Sequence, residues 1–237
     1  MMLASHPAQS GQADSSYKRL TKTIDLTGAQ AARLKFRTSF DTEADWDFMF
    51  VEAHVVGSDD WTTLPDANGL TTTATGESCK SKITTLHPFV AHYQGADCSP
   101  TGTTGTWNAA TGNSGGWKEF DADLSAYAGK QVEVSITYMS DWTTQGLGVF
   151  LDDVRVETGG TVAQRTSFES DLGGWTVAGP PPGSDLNSSD WSRSQLAFDS
   201  GAAVTTKDSV YVGFGLETLT AAERDALVKR SLKHLGI

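Results

Sequence analysis

Gln131-Val132-Glu133-Val134-Ser135-Ile136-Thr137-Tyr138 alternates apolar and polar residues without a break, so Val132, Val134, Ile136 and Tyr138 share one face. An eight-residue run of period two, rich in β-branched residues, is a half-buried strand. The turn Ala128-Gly129-Lys130 precedes it, and Trp117 to Leu124 reads as the strand before that turn. On its C-terminal side, Gly146-Leu147-Gly148-Val149-Phe150-Leu151 feeds Asp152-Asp153-Val154-Arg155-Val156, another strand. Toward the N-terminus, Arg33 to Phe40 places Leu34 and Phe36 inward, and Asp47 to Val56 is the most apolar strand of the chain. Trp61 to Leu64 returns as its hairpin partner after the turn Gly57-Ser58-Asp59-Asp60, and Pro65 to Gly69 breaks the ladder. Residues 70–116 read as a long decorated loop. Strands at this spacing, with many turn residues, specify an all-β sandwich.

The expected organisation is a disordered N-terminal segment over 1–16, a β-sandwich over 17–215, and a short C-terminal α-helix within 216–237. Thr220-Ala221-Ala222-Glu223 is the pattern of a capping box, and Val228, Leu232 and Leu235 share a stripe. Gly179-Pro180-Pro181-Pro182-Gly183 reads as a surface loop, and Gly213 to Glu217 as a tight turn. Arg37-Thr38-Ser39-Phe40 recurs as Arg165-Thr166-Ser167-Phe168, but the flanks do not match and the repeat reads as coincidence.

The chain has 237 residues, enough to bury a sizeable core, and a formal net charge of −11. That charge excludes a nucleic-acid partner, which requires clustered Lys and Arg. No segment is apolar for long enough to insert into a membrane. Residues 1–16 have no Lys or Arg and no apolar run, so they are not expected to be a secretory signal, and an exported protein with this sequence would be a fragment. Cys79 and Cys98 lie in a Gly/Thr/Ser-rich stretch, where a disulfide would compensate for a poor local core. Two cysteines cannot make a zinc site by themselves.

Four constellations could carry chemistry. Gly112-Asn113-Ser114-Gly115-Gly116 matches the string around a hydrolase serine, yet it leads into a strand rather than a helix, and no histidine or aspartate motif accompanies it. His6, His54, His87, His92 and His234 form no metallopeptidase motif and read as structural or surface residues. The seven tryptophans suit either a sugar-stacking platform or core packing, and their spacing does not separate the two. The acidic stretch Asp41 to Asp47 and the Asp152-Asp153 pair suggest calcium held by hard oxygens at strand edges. Asp152 has the parity of Val154 and Val156, so it is expected to point coreward, where a metal or an arginine must compensate it.

Taken together, Asp45 to Ala53, Asp60 to Leu64, Asp123 to Lys130 and Phe150 to Val154 resemble the MAM-like jelly-roll module of secreted bacterial zinc peptidases. Those are the immune inhibitor A peptidases and, more closely, the actinobacterial zinc carboxypeptidases. The resemblance covers roughly residues 17 to 215. It implies a non-catalytic accessory domain, extracellular and stabilised by calcium, that packs on a peptidase catalytic domain or binds a protein or glycan surface. None of the zinc ligands or the catalytic glutamate of the family can be placed on this chain. Phe168-Glu169, Gly174-Trp175 and Asp190 to Arg193 are similar to the opening strand of such modules, but they come late, and nothing comparable precedes Tyr17. Residues 165–215 are therefore expected to fold back and complete the sandwich, bringing Glu169 to Asp152. The expected calcium ligands are Asp41, Glu43, Asp152 and Glu169. A stand-alone carbohydrate-binding module is the alternative.

Overall fold

Alternation decides which strands have one buried face. Ala32–Asp41 (β3) alternates buried and half-buried residues along its whole length, whereas Phe48–Val55 (β4) is buried at its first six positions. Only a strand covered on both sides can be apolar on both faces. In this computed structural model residues 6–194, 203–206, 209–212 and 221–236 are described.

The remaining strands are Ala8–Gln9 (β1), Tyr17–Asp25 (β2), Thr62–Leu64 (β5), Lys118–Asp123 (β6), Gln131–Met139 (β7), Gly148–Thr158 (β8), Thr161–Thr166 (β9), Thr176–Val177 (β10), Ser192–Arg193 (β11), Ala203–Thr206 (β12) and Ser209–Val212 (β13). The helices are Gly76–Lys80 (α1), Ile83–Leu86 (α2) and Ala221–His234 (α3). Sheet A has the order β11-β1-β8-β3-β6 with β9 also on β8, and sheet B has the order β10-β2-β7-β4-β5. All their pairings are antiparallel. The first eight strands thus alternate between sheets as 1-8-3-6 and 2-7-4-5, the strand order of a jelly roll.

The inward faces make one core. Val132, Val134, Ile136 and Tyr138 of β7 meet Leu34 and Phe36 of β3, and Phe36 stacks on its cross-strand partner Phe120 at 4.7 Å. Phe168, Trp175 and Trp191 enter the same core, so the described part of the C-terminal half contributes strands β9 to β11 and three large side chains to this sandwich.

Three expectations change. The N-terminal segment expected to be disordered is ordered from His6 onward, because Ala8 is fully buried and Ala8–Gln9 pairs with both β8 and β11. The opening strand sought before Tyr17 is therefore β1. The decorated loop over 70–116 is a folded cap: α1, α2 and a 3-10 turn at Pro88–His92 bury Ile83, Val90, Tyr93 and Trp107 against Tyr17, Phe48, Phe50 and Met139 on the outer face of sheet B. A disulfide joins Cys79 to Cys98 inside this cap. The third change concerns Asp152. Register on β3 skips between Lys35 and Arg37, so β8 bulges at Asp153, which sits at φ 50°. The bulge inverts the inward parity, and Asp152 lies opposite Arg37 rather than in line with Val154.

A separate compact unit, residues 198–237, contains the β12–β13 hairpin and α3. Val228 and Leu232 are exposed on α3. Thr220 and the Gly213–Glu217 turn lie outside the described residues.

Candidate functional site

The loops 41–47, 111–117 and 140–147 are tied together at one end of the sandwich. Thr42 and Gly112 exchange hydrogen bonds, the Thr111 hydroxyl donates to the Asp47 carbonyl at 2.7 Å, and the Asp141 N–H donates to the Asp47 carboxylate at 3.0 Å. Asp47 precedes β4 and is fully buried, with the Tyr138 hydroxyl donating to its other oxygen at 2.9 Å. Burial pushes the Asp47 carboxyl up to about 7, and Asp141 and Glu43 reinforce the shift against the two hydrogen bonds. Asp141 and Glu43 are also raised, first by burial and then by neighbouring carboxylates. None of Asp14, Glu43, Asp47 and Asp141 forms an ion pair with a described Lys or Arg. Trp142 and Leu147 project from the same end, 39% and 46% exposed.

Of the four expected calcium ligands, Asp41 and Glu43 belong to this end, where Asn113 donates to Asp41 at 2.8 Å. Asp152 sits on the outer side of sheet A, and Glu169 pairs with His6 at 3.1 Å. Among the described residues no group of three or more His, Cys, Asp or Glu side chains is placed to hold a metal ion. Arginine does the compensating at the paired aspartates: Asp153 accepts from Arg155 at 2.5 Å and from Arg165 at 2.6 Å. Asp47 closes the acidic stretch named from the sequence but was not among the four expected ligands, and Asp141 was not expected at all. Their only sequence signal is position, one directly before the most apolar strand and one directly after the most regular strand.

The capped face of sheet B has its own polar centre. Glu52 is fully buried, and the hydroxyls of Tyr17 and Tyr93 both donate to its Oε2 at 2.8 Å. Burial raises its carboxyl, with the opposing Arg19 field and tyrosine hydrogen bonds too weak to cancel it. His87, also buried, contacts the Ser140 carbonyl through Nε2 at 3.0 Å and the Ser184 hydroxyl through Nδ1 at 3.0 Å, and burial pulls it down to about 4. The carbonyl requires Nε2 to donate. His92 bonds Thr104, so the two loop histidines serve different partners.

Neither rival arrangement is assembled. The Ser114 hydroxyl is engaged with the Phe40 N–H and with the carbonyls of Phe40 and Gly116, all main chain. Trp61, Trp107, Trp175 and Trp191 are buried, and Trp46 and Trp117 are partly so, which leaves Trp142 without the aligned aromatics of a sugar platform. No helix is long and apolar enough to cross a membrane among the described residues.

No protein-family model matches the chain. It is similar to the pre-pro-metalloprotease PrtV of Vibrio cholerae serotype O1, from strains M66-2 and ATCC 39315 / El Tor Inaba N16961, at 26% identity over 152 residues in both cases. The match takes in 64% of this chain and 13% of that protein's length, so the chain corresponds to a small part of a metalloprotease precursor.

Proposed function

We propose that this chain is a non-catalytic accessory module of a secreted zinc metallopeptidase, associated with that protein's peptidase domain. The similarity to a short stretch of a metalloprotease precursor carries the reading. The site geometry agrees with it: Ser114, His54, His87 and His92 are engaged in hydrogen bonds, and among the described residues no group placed to hold a metal lies beside the perturbed carboxylates. A jelly roll with one sheet face covered by a cap suits a spacer or docking block. A carboxypeptidase parent, by the family resemblance, and an extracellular location belong to the same proposal.

The test compares the full-length product of the encoding gene with a version lacking residues 6–194. Hydrolysis of a short peptide should be unchanged, while hydrolysis of a folded protein substrate or attachment to it should fall. Peptidase activity in the isolated chain with zinc would refute the reading. Binding of the isolated chain to a glycan array would favour the carbohydrate-binding alternative. Calcium stabilisation enters the same set as a proposal: a chelator-induced fall in Tm supports it, and an unchanged Tm removes it.

A further inference from the structure

Lys18 is a fully buried lysine. It shares the inward face of β2 with Leu20 and Ile24, a position at which an uncompensated ammonium costs several kcal/mol. Its three donors are all used. The ammonium donates to the Ser10 carbonyl at 2.9 Å, the Gly11 carbonyl at 3.2 Å and the Ser189 hydroxyl at 3.1 Å. The Tyr138 ring lies 5.6 Å below it, within cation–π range. Two features make this an arrangement built around a cation. Gly11 has φ 63°, the left-handed region that glycine adopts without strain, and the two successive carbonyls at 10 and 11 both face the same ammonium. The Ser189 hydroxyl donates its own proton to the Gln12 carbonyl at 3.0 Å, which leaves its lone pairs for Lys18. Asp190 supplies a nearby negative charge, and Asn187 and the Trp191 N–H hold its carboxylate.

The acceptors come from the two segments that close sheet A, one just after β1 and one just before β11. Trp191 adds a hydrogen bond from its indole N–H to the Lys18 carbonyl at 3.1 Å, and Asn187 bonds both the N–H and the carbonyl of Tyr17. We infer that the Ser10 and Gly11 carbonyls, the Ser189 hydroxyl and the Tyr138 ring form a cation site that Lys18 fills as an internal ligand, and that the site takes a free primary ammonium ion when that side chain is shortened. Burial draws Lys18 down to about 8, with Asp190 opposing, so the group is still charged at neutral pH. The lock between the segments after β1 and before β11 is therefore a cation that no chelator removes.

The test is rescue of Lys18→Ala by n-propylammonium, which replaces the deleted atoms from Cγ to Nζ, against tetramethylammonium at equal ionic strength. Lys18→Ala should lower Tm by several degrees and speed proteolytic loss of the segment after Leu186. Propylammonium should recover at least half of the Tm loss, and tetramethylammonium, with no N–H, none of it. Equal response to the two salts, or a Lys18→Met chain as stable as the parent, would overturn the inference. The unaltered chain provides a readout that does not depend on a variant folding: nitrogen-15 NMR should show one lysine ammonium protected from solvent exchange, and the absence of any such signal would count against the site.

Discussion

The outer faces of the two sheets solve the same problem in opposite ways. On sheet A the face carries partly exposed charges paired across strands: Arg33 with Asp121 at 2.6 Å, Lys35 with Glu157 at 2.9 Å, Arg155 with Glu119 at 3.1 Å. On sheet B the equivalent face lies under the cap, where aromatic rings meet edge to face and a single carboxyl, Glu52, sits between two tyrosines. Exposed ion pairs are worth little and are screened by salt, whereas a buried carboxyl and a closed aromatic core carry large energies of both signs. The comparison teaches that charge count does not measure what holds this molecule together. Most ion pairs decorate the face that contributes least.

The largest effect should come from breaking the capped face. Trp107→Ala removes a fully buried ring that contacts Phe48 and Phe50 and donates to the Ala74 carbonyl at 2.9 Å. A loss of about 3–5 kcal/mol is expected in denaturant unfolding, together with faster proteolysis within residues 70–112. A loss below about 1 kcal/mol would mean that the cap is not a cooperative part of the fold.

Next come the two titrating groups beneath the cap, which oppose each other. His87 is held below its ordinary range, so the unfolded chain binds the extra proton between about 4 and 6.5, and stability from this group falls as pH drops through that window. Glu52 is held above its ordinary value, so its contribution is complete below the usual carboxylate range and is lost as pH rises through its raised value. The unfolding free energy measured with denaturant from pH 4 to 7 should therefore fall less steeply toward acid in His87→Gln than in the parent, by roughly 3 kcal/mol over the window. Glu52→Gln should show the reverse, a steeper acid loss. Identical profiles in all three would show that neither group senses the burial.

The smallest effect belongs to sheet A. Lys35→Ala removes two contacts, to Asp121 and Glu157, yet both partners retain other arginine neighbours. The expected cost is about 0.2–1 kcal/mol, reduced further by added salt. A cost comparable to that of Trp107→Ala would erase the distinction between the faces.

Strand identities were legible where burial is one-sided. The alternation in Gln131 to Tyr138 and in Arg33 to Phe40 survives as β7 and β3, because each has one face on the core and one polar. The cap was not legible: Ile83, Val90, Tyr93 and Trp107 are scattered among Thr, Gly and Ser with no period, and only the sheet beneath brings them together. The inward orientation expected of Asp152 was misread for a specific reason. A strict period of two carried Asp152 to the core, and one extra residue at Asp153 reversed it. Adjacent aspartates before a β-branched run were the only hint, since aspartate tolerates the left-handed backbone that the bulge requires.

By itself the sequence determined the all-β class, most strand spans, the acidic balance and the pairing of the two cysteines, because these depend on local period, turn chemistry and composition. Only the tertiary structure decided that Ala8–Gln9 opens the jelly roll, that arginines rather than clustered carboxylates surround Asp153, and that Lys18 is buried among oxygens from both ends of the sandwich. The first and the last of those outcomes join residues more than a hundred positions apart. Two- and three-residue strands carry no periodicity to read, and whether a charge is compensated depends on what the folded chain brings within about 3 Å of it.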